Sequence, residues 1–166
     1  VQFGLLGMKA AVSVAPRHPD RPYSVDWLPG AGLLTQKSYW DELGGFRGDF
    51  FAHSEDIDLC LRCRRVGGSV RVVPTAVVYH HEHPNGISQS PTIELHKLKN
   101  YVAVNALHGP LAILPLVCAK FFLYTAPRIA WKLRSPRLLL RAWWATLTRL
   151  PGWLVDRRRP VRLALR

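Results

Sequence analysis

The stretch FFAHSEDIDLCLR, Phe50 to Arg62, sets three carboxylates, Glu55, Asp56 and Asp58, beside Ser54 and ahead of an apolar run. Carboxylates placed there do two kinds of work. In the first turn of a helix they complement the positive end of the macrodipole, each contributing about 0.3–1 kcal/mol. At the mouth of a pocket, one of them accepts the proton of a substrate hydroxyl as a general base. Three acids are more than one helix end needs for capping. A second group, His80, His81 and His83, follows a short β-branched run. Neutral imidazole nitrogens there ligate a metal, or the rings are simply solvated. A third, Cys60-x-x-Cys63 with His80 and His83 downstream, has the letters of a zinc site. Against zinc, the cysteines fall in a helix-patterned run and the histidines are spaced tighter than in a finger; a buried free thiol is commonplace.

The elements around these groups are legible from punctuation and period. Residues 1–14 read as a strand or loop of a larger sheet, and 15–26 as a proline-rich loop. WLPGAGLL follows, where Gly30 and Gly32 permit unusual backbone angles or close approach of a ligand. TQKSYWDEL reads as a short helix stopped by Gly44 and Gly45. Ser54 is the expected N-cap of a helix carrying a buried stripe of Ile57 with Leu61 and Leu59 with Cys63. Arg62, Arg64 and Arg65 fill its last turns, and Gly67–Gly68 end it. SVRVV and TAVVYH read as strands around Pro74, HEHPNGISQS as a loop, and the chain from about Ile93 as helical.

Charge divides the chain. Residues 1–100 hold 11 Lys/Arg and 10 Asp/Glu, whereas residues 101–166 hold 12 Lys/Arg and one Asp, which together give the net charge of +12. The second segment interleaves its cations with Trp131, Trp143, Trp144, Trp153 and many leucines. That composition fits the surface of an anionic membrane better than nucleic acid, since a purely electrostatic arm would not need the apolar residues. The expected division is therefore 1–100 as a chemistry-bearing part and 101–166 as a basic, helical, membrane-associating tail, with no nucleic-acid partner. No Lys, Arg, Asp or Glu occurs between Lys99 and Lys120, a gap about the length of a membrane span. Pro110 and Pro115 interrupt it, so a flat or re-entrant course is expected. Three scattered cysteines make no disulfide framework and suit a reducing compartment. The opening VQFGLLGMKAAVSV lacks the pattern of a secretion signal and reads as mid-domain sequence.

Taken in order, these segments resemble the acceptor-side part of a family 2 glycosyltransferase with the GT-A fold, of the rhamnosyltransferase-like group. The resemblance rests on VDWLPGA (Val25–Ala31), GGF (Gly44–Phe46), FFAHSEDIDLCLR, the VVP strand end, the V-x-x-H leading to His80 or His81, and a following serine at Ser88. It covers about residues 20–105, with a family-like basic ending approximated by LPGWLVDRRRP. The implied fold is α/β, a partial GT-A domain lacking the N-terminal nucleotide-binding half and followed by amphipathic helices.

By matching position, the resemblance makes Asp56 the catalytic base, with Glu55 supporting the helix start or binding acceptor. Trp27, Gly30, Ala31 and Asp58 become the lining of the donor and acceptor pocket, and His80 or His81 a ligand to a divalent metal, Mg2+ or Mn2+, on the nucleotide diphosphate. It implies a nucleotide-sugar donor, a saccharide or lipid-linked acceptor, and a peripheral or monotopic place on the cytoplasmic membrane face. The family's D-x-D metal motif is not found in its own context, since Asp56-Ile57-Asp58 lies in the base helix. The main metal ligands are thus expected in an absent N-terminal half, and a truncated, inactive piece is expected. The competing expectations are a non-catalytic, membrane-associated basic module and a zinc-binding, nucleic-acid-associated protein.

Overall fold

The computed structural model describes residues 2–9, 20–79 and 90–159. The described part of the chain opens with the antiparallel hairpin of β1 (Gln2–Gly4) and β2 (Gly7–Lys9), which among the described residues pair only with each other. Gly7 has φ +103°, and a Cβ there would collide with the Tyr101 hydroxyl, so only glycine fits. Strand β3 (Tyr23–Val25) lies in the segment expected to be loop. It pairs antiparallel with β4 (Val70–Val72), Ser24 opposite Arg71. Pairing with a β-branched partner outweighs the turn-forming prolines before it. Between these strands come a 3-10 turn, Gly30–Gly32, then α1 (Lys37–Leu43) and α2 (Glu55–Arg65). Gly44 ends α1 in the left-handed conformation (φ 77°), as the sequence predicts. The residues after Pro74 are not paired as a strand up to Tyr79.

The centre of the molecule is α3 (Pro91–His108). Pro91 stands in its first turn and Ser90 Oγ accepts from Ile93 N, a regular helix start. Val102, Ala103, Val104 and Ala106 have no exposed surface. An all-round apolar helix is the signature of a core element, so the first half of the charge-free gap is not a membrane segment but the spine of the fold. Residue 100, where the charge divides, lies inside this helix.

Three further helices complete the layer: α4 (Leu114–Lys120), α5 (Ala126–Lys132) and α6 (Pro136–Asp156). A π-helical turn, Phe121–Thr125, joins α4 to α5 without a break. The buried stripe of this continuous rod reads Leu114, Val117, Phe121, Ala126, Ala130. Its steps are three, four, five and four residues, and the step of five falls on the π turn, which keeps Phe121 and Ala126 on the same face. Helix α6 starts with Ser135 Oγ accepting from Leu138 N and buries Leu138, Ala142, Thr146 and Trp153. One core cluster joins Phe50 and Ile57, near the acidic motif, to Leu98, Phe121, Ala142 and Trp153. The architecture is mixed α/β and mostly helical, and the described strands form two separate two-stranded ribbons.

Candidate active site

Helix α2 begins after two consecutive non-glycine residues in the left-handed region, His53 (φ 66°) and Ser54 (φ 69°). Each such residue costs about 1–3 kcal/mol unless its surroundings hold it. Here the holding groups come from α3. Asn100 Nδ2 donates to the carbonyls of Ala52 at 2.8 Å and His53 at 2.6 Å. Lys99 Nζ donates to the Asp49 carbonyl. The Asp49 carboxylate accepts from Trp153 Nε1 at 2.7 Å and from Arg47 Nε at 3.1 Å, and Arg47 reaches Asp156 at 2.8 Å. The loop of residues 47–54 is thus fixed by α3 and the far end of α6. Ser54 occupies the N-cap position, but its side chain makes no cap hydrogen bond, because the left-handed backbone turns it away from the helix N–H groups.

This loop delivers Asp56 to a half-exposed position on the first turn of α2. Gly30 N donates to Asp56 Oδ2 at 3.0 Å, and Ile57 N to Oδ1 at 2.7 Å. The two donors fix the orientation of the carboxylate against the exposed Gly30–Gly32 turn. Gly30 and Gly32 do not have positive φ, so the expected unusual backbone is absent. A Cβ on Gly30 would meet the Asp56 side chain at 3.7 Å, an ordinary contact. Gly30, Ala31 and Gly32 are exposed beside the carboxylate, and a Cβ on Gly32 would meet Val78 at 3.5 Å. Trp27 instead packs partly buried against the core and anchors this turn.

Asp58 has a different place from the pocket lining expected of it. It is 1% exposed. Its Oδ2 meets Arg62 at 2.8–2.9 Å, and its Oδ1 meets His108 Nε2 at 2.8 Å. Arg62 continues to the carbonyls of Leu43 and Gly45, closing the end of α1. His108 Nδ1 faces Arg65 Nη2 at 3.1 Å. A neutral ring that donates from Nε2 to Asp58 and accepts at Nδ1 from Arg65 satisfies every partner. Burial pushes the imidazole below its ordinary range, against the pull of Asp58. The placement has a simple cause: helix period turns Asp58 inward, two residues on from the partly exposed Asp56.

The chain matches the sequence profile described as Glycosyl transferase family group 2 over residues 13–153. The chain belongs to this family. It is 33% identical over 91 residues to the N-acetylglucosaminyl-diphospho-decaprenol L-rhamnosyltransferase of Mycobacterium tuberculosis, a match covering 54% of this chain and 29% of that protein. It is 37% identical over 59 residues to the rhamnosyltransferase WbbL of Escherichia coli K12, covering 36% of this chain and 22% of the relative. The chain thus spans under a third of either relative's length. No solved structure matches it. The rhamnosyltransferase-like resemblance read from the ordered motifs is therefore shown.

Within this glycosyltransferase-family chain, Glu55 adjoins Asp56 on the first turn of α2. It is half-buried, its Oε2 is enclosed with no hydrogen-bond partner among the described residues, and burial, then the Asp56 charge, push its carboxyl upward. Cys60 is buried and its thiol is pushed up to about 11, chiefly by burial; Cys63 moves the same way. Neither is poised as a thiolate ligand. His80 and His81 lie outside the described residues. Among the described residues, no group of three or more His, Cys, Asp or Glu could hold a metal ion. Asp56 is committed to two N–H groups and Asp58 to two cations, so these residues do not by themselves fit the divalent metal that the family resemblance implies. Asn100, His108 and Asp49 were not singled out from sequence, and Trp153, read there with the tryptophans of the membrane-associating tail, is 1% exposed and belongs to the core. The signal was present only for Lys99 and Asn100, polar residues entering an otherwise apolar helix.

Proposed function

We propose that this chain carries the acceptor-activating part of an inverting glycosyltransferase, which moves a sugar from a nucleotide-sugar donor to an acceptor hydroxyl in cell-surface polysaccharide or glycolipid synthesis. The observation that supports it most is Asp56: partly exposed, oriented by Gly30 N and Ile57 N, and beside the exposed Gly30–Gly32 turn. In the proposed step the acceptor oxygen attacks the anomeric carbon as its proton passes to Asp56. The bond from that carbon to the diphosphate breaks, and the nucleoside diphosphate leaves with the electron pair. A sugar hydroxyl is a poor nucleophile, and a placed carboxylate of this kind contributes about 10²–10⁴-fold. Glu55, half-buried beside Asp56, supports the start of the helix or binds the acceptor.

The mycobacterial relative's name specifies rhamnosyl transfer to a diphospho-decaprenol-linked sugar. We take the acceptor here to be of the same class, a lipid-linked saccharide met at the cytoplasmic face of a membrane. Residues 101–166, net +11, supply the contact with an anionic surface. A divalent cation on the departing diphosphate, with His80 or His81 as a ligand, belongs to the proposal on sequence grounds, and no step assigned to this chain depends on it.

The test is the stereochemistry of the product. The native enzyme is incubated with nucleotide-sugar and lipid-linked acceptor, and the new anomeric centre is read by NMR. Inversion is the expected result; a retained configuration, or hydrolysis without transfer, rules out base-assisted single displacement.

A further inference from the structure

We infer that the α4–α5 rod and α6 lie flat in the interface of an anionic phospholipid bilayer, with Trp131 and Trp144 as paired anchors, and do not span it. The inference deepens the membrane contact of the proposed function, and rests on that part of it alone.

The outward stripe of α6 is apolar. Leu140, Trp144, Leu147, Pro151 and Val155 follow at steps of four, three, four and four residues, on the side opposite Leu138, Ala142, Thr146 and Trp153. Trp144 is 72% exposed. The rod offers a matching outward row, Leu116, Leu123, Tyr124 and Trp131, of which Leu123 is 81% and Trp131 87% exposed. The π turn keeps this row in phase as it keeps the buried one. Soluble surfaces rarely gather so many large apolar side chains on two adjacent helices. Charge identifies the occupant. From Leu111 to Val155 there are seven Lys/Arg and no Asp/Glu. Arg128, Lys132, Arg134, Arg137 and Arg141 are all exposed beside the apolar rows. Cations and tryptophans flanking a leucine-rich face are the composition of an interfacial helix on anionic lipid. Nucleic acid would leave the leucines unexplained, and an acidic protein partner would not call for two exposed indoles.

The α5–α6 turn adds a receptive feature. A cavity of about 650 Å3 is lined by Pro127, Ala130, Trp131, Arg134, Pro136 and Leu139. Apolar walls with one guanidinium suit the upper acyl chain and phosphate of a single lipid.

By length and composition Leu111–Lys132 is apolar enough to cross a membrane. Packing favours the flat course. One face of the rod is committed to the core through Val117, Phe121 and Ala126, all with no exposed surface. Lys120 near its middle donates to the Leu6 carbonyl at 3.3 Å. Helix α6, packed against the rod, ends in the ionised cluster of Arg47, Asp49 and Asp156. A spanning course would carry those charges, or the hairpin of residues 2–9, into hydrocarbon at a cost of several kcal/mol per ion.

The experiment is flotation of the full chain with vesicles of phosphatidylcholine, with and without phosphatidylglycerol, alongside quenching by lipids brominated at defined depths. The expected result is at least about tenfold stronger partition onto the anionic vesicles, lost at high salt. Trp131→Ser/Trp144→Ser should reduce it by about tenfold or more. Arg137→Gln/Arg141→Gln, at two exposed sites, probes the same face should the tryptophan variant fold poorly, and a similar loss is expected. Quenching is expected from shallow bromines only. Equal partition onto both vesicle types, unchanged partition of both variants, or quenching from the bilayer centre overturns the inference. So does a solution dimer whose dissociation by the tryptophan variant leaves vesicle binding unaltered, since the face would then join two copies. Sugar transfer to a water-soluble acceptor is scored separately. Its survival without vesicle binding removes the docking face and spares the enzyme reading.

Discussion

The side-chain amide of Asn100 stands 2.6 Å from the carbonyl oxygen of His53, and that contact holds the first of the two left-handed residues that precede α2. It restrains the loop that carries the proposed base, Asp56. Replacing Asn100 with Ala leaves two carbonyls without their donor and lets His53 and Ser54 relax. In the native enzyme, Asn100→Ala should lower kcat about 10²-fold, the order expected of a roughly 1 Å misplacement, with nucleotide-sugar affinity unchanged. Steady-state kinetics with donor titration checks it. A variant that changes donor affinity alone would show that the loop does not position the base.

Asp56→Asn keeps the shape and the two backbone donors but removes the proton acceptor. Transfer should fall about 10²–10⁴-fold while donor binding by calorimetry stays near the native value. Transfer within tenfold of the native rate would exclude Asp56 as the base.

The Asp58 network makes a stability prediction, not a catalytic one. Removing one member of a buried, hydrogen-bonded pair costs about 3–5 kcal/mol, because the other charge stays buried. Asp58→Asn should lower the urea midpoint on that scale, and Arg62→Met/Asp58→Leu together should recover most of the loss. A single variant as stable as the parent would mean that the network is wetter than its 1% exposure implies.

Acidification should unfold the chain earlier than carboxylate titration alone. His53, His96 and His108 all sit below the ordinary value of 6.5, with burial as the leading cause in each. A histidine with a depressed native pKa binds more protons when unfolded. Its stabilising effect is complete above about 6.5 and is lost as pH falls toward the native value. Thermal midpoints measured downward from pH 7 should drop in that window, and His108→Gln should flatten the dependence. A flat profile in the native protein would contradict the burial of the His96 and His108 rings.

Glu55 runs the other way. Its carboxyl is raised from 4.5 by burial and by Asp56, so its favourable contribution is complete below 4.5 and fades as pH rises through the native value. Glu55→Gln, which imitates the protonated form, should melt higher than the parent near neutral pH, with the two curves converging below 4.5. A lower melting point at neutral pH would show that the carboxylate has a partner in solution.

The sequence was informative where chemistry is local. Gly44 and Gly67 ended their helices because only glycine takes a positive φ cheaply, and that is written in one letter. The start of α2 was legible from its acids, yet the twist of His53 and Ser54 was not, because it is imposed by Asn100 from another helix. Asp56 and Asp58 looked alike by composition; only the rotation of α2 against α3 separates the outward one from the buried one. The charge-free run after Lys99 suggested lipid, since length and apolarity cannot distinguish a membrane from a protein interior. Strand β3 was hidden because three residues pair with a segment far along the chain, and no short window records that.

The wide turn at Phe121–Thr125 has a hereditary consequence. It stores one surplus residue, and everything beyond it depends on that surplus for its rotational phase. Losing a single codon there would swing α5 by about 100°, carrying Trp131 off the outward row while keeping the overall composition almost intact. Substitutions among the leucines should therefore drift freely between lineages, whereas the number of residues from Val117 to Ala130 should not.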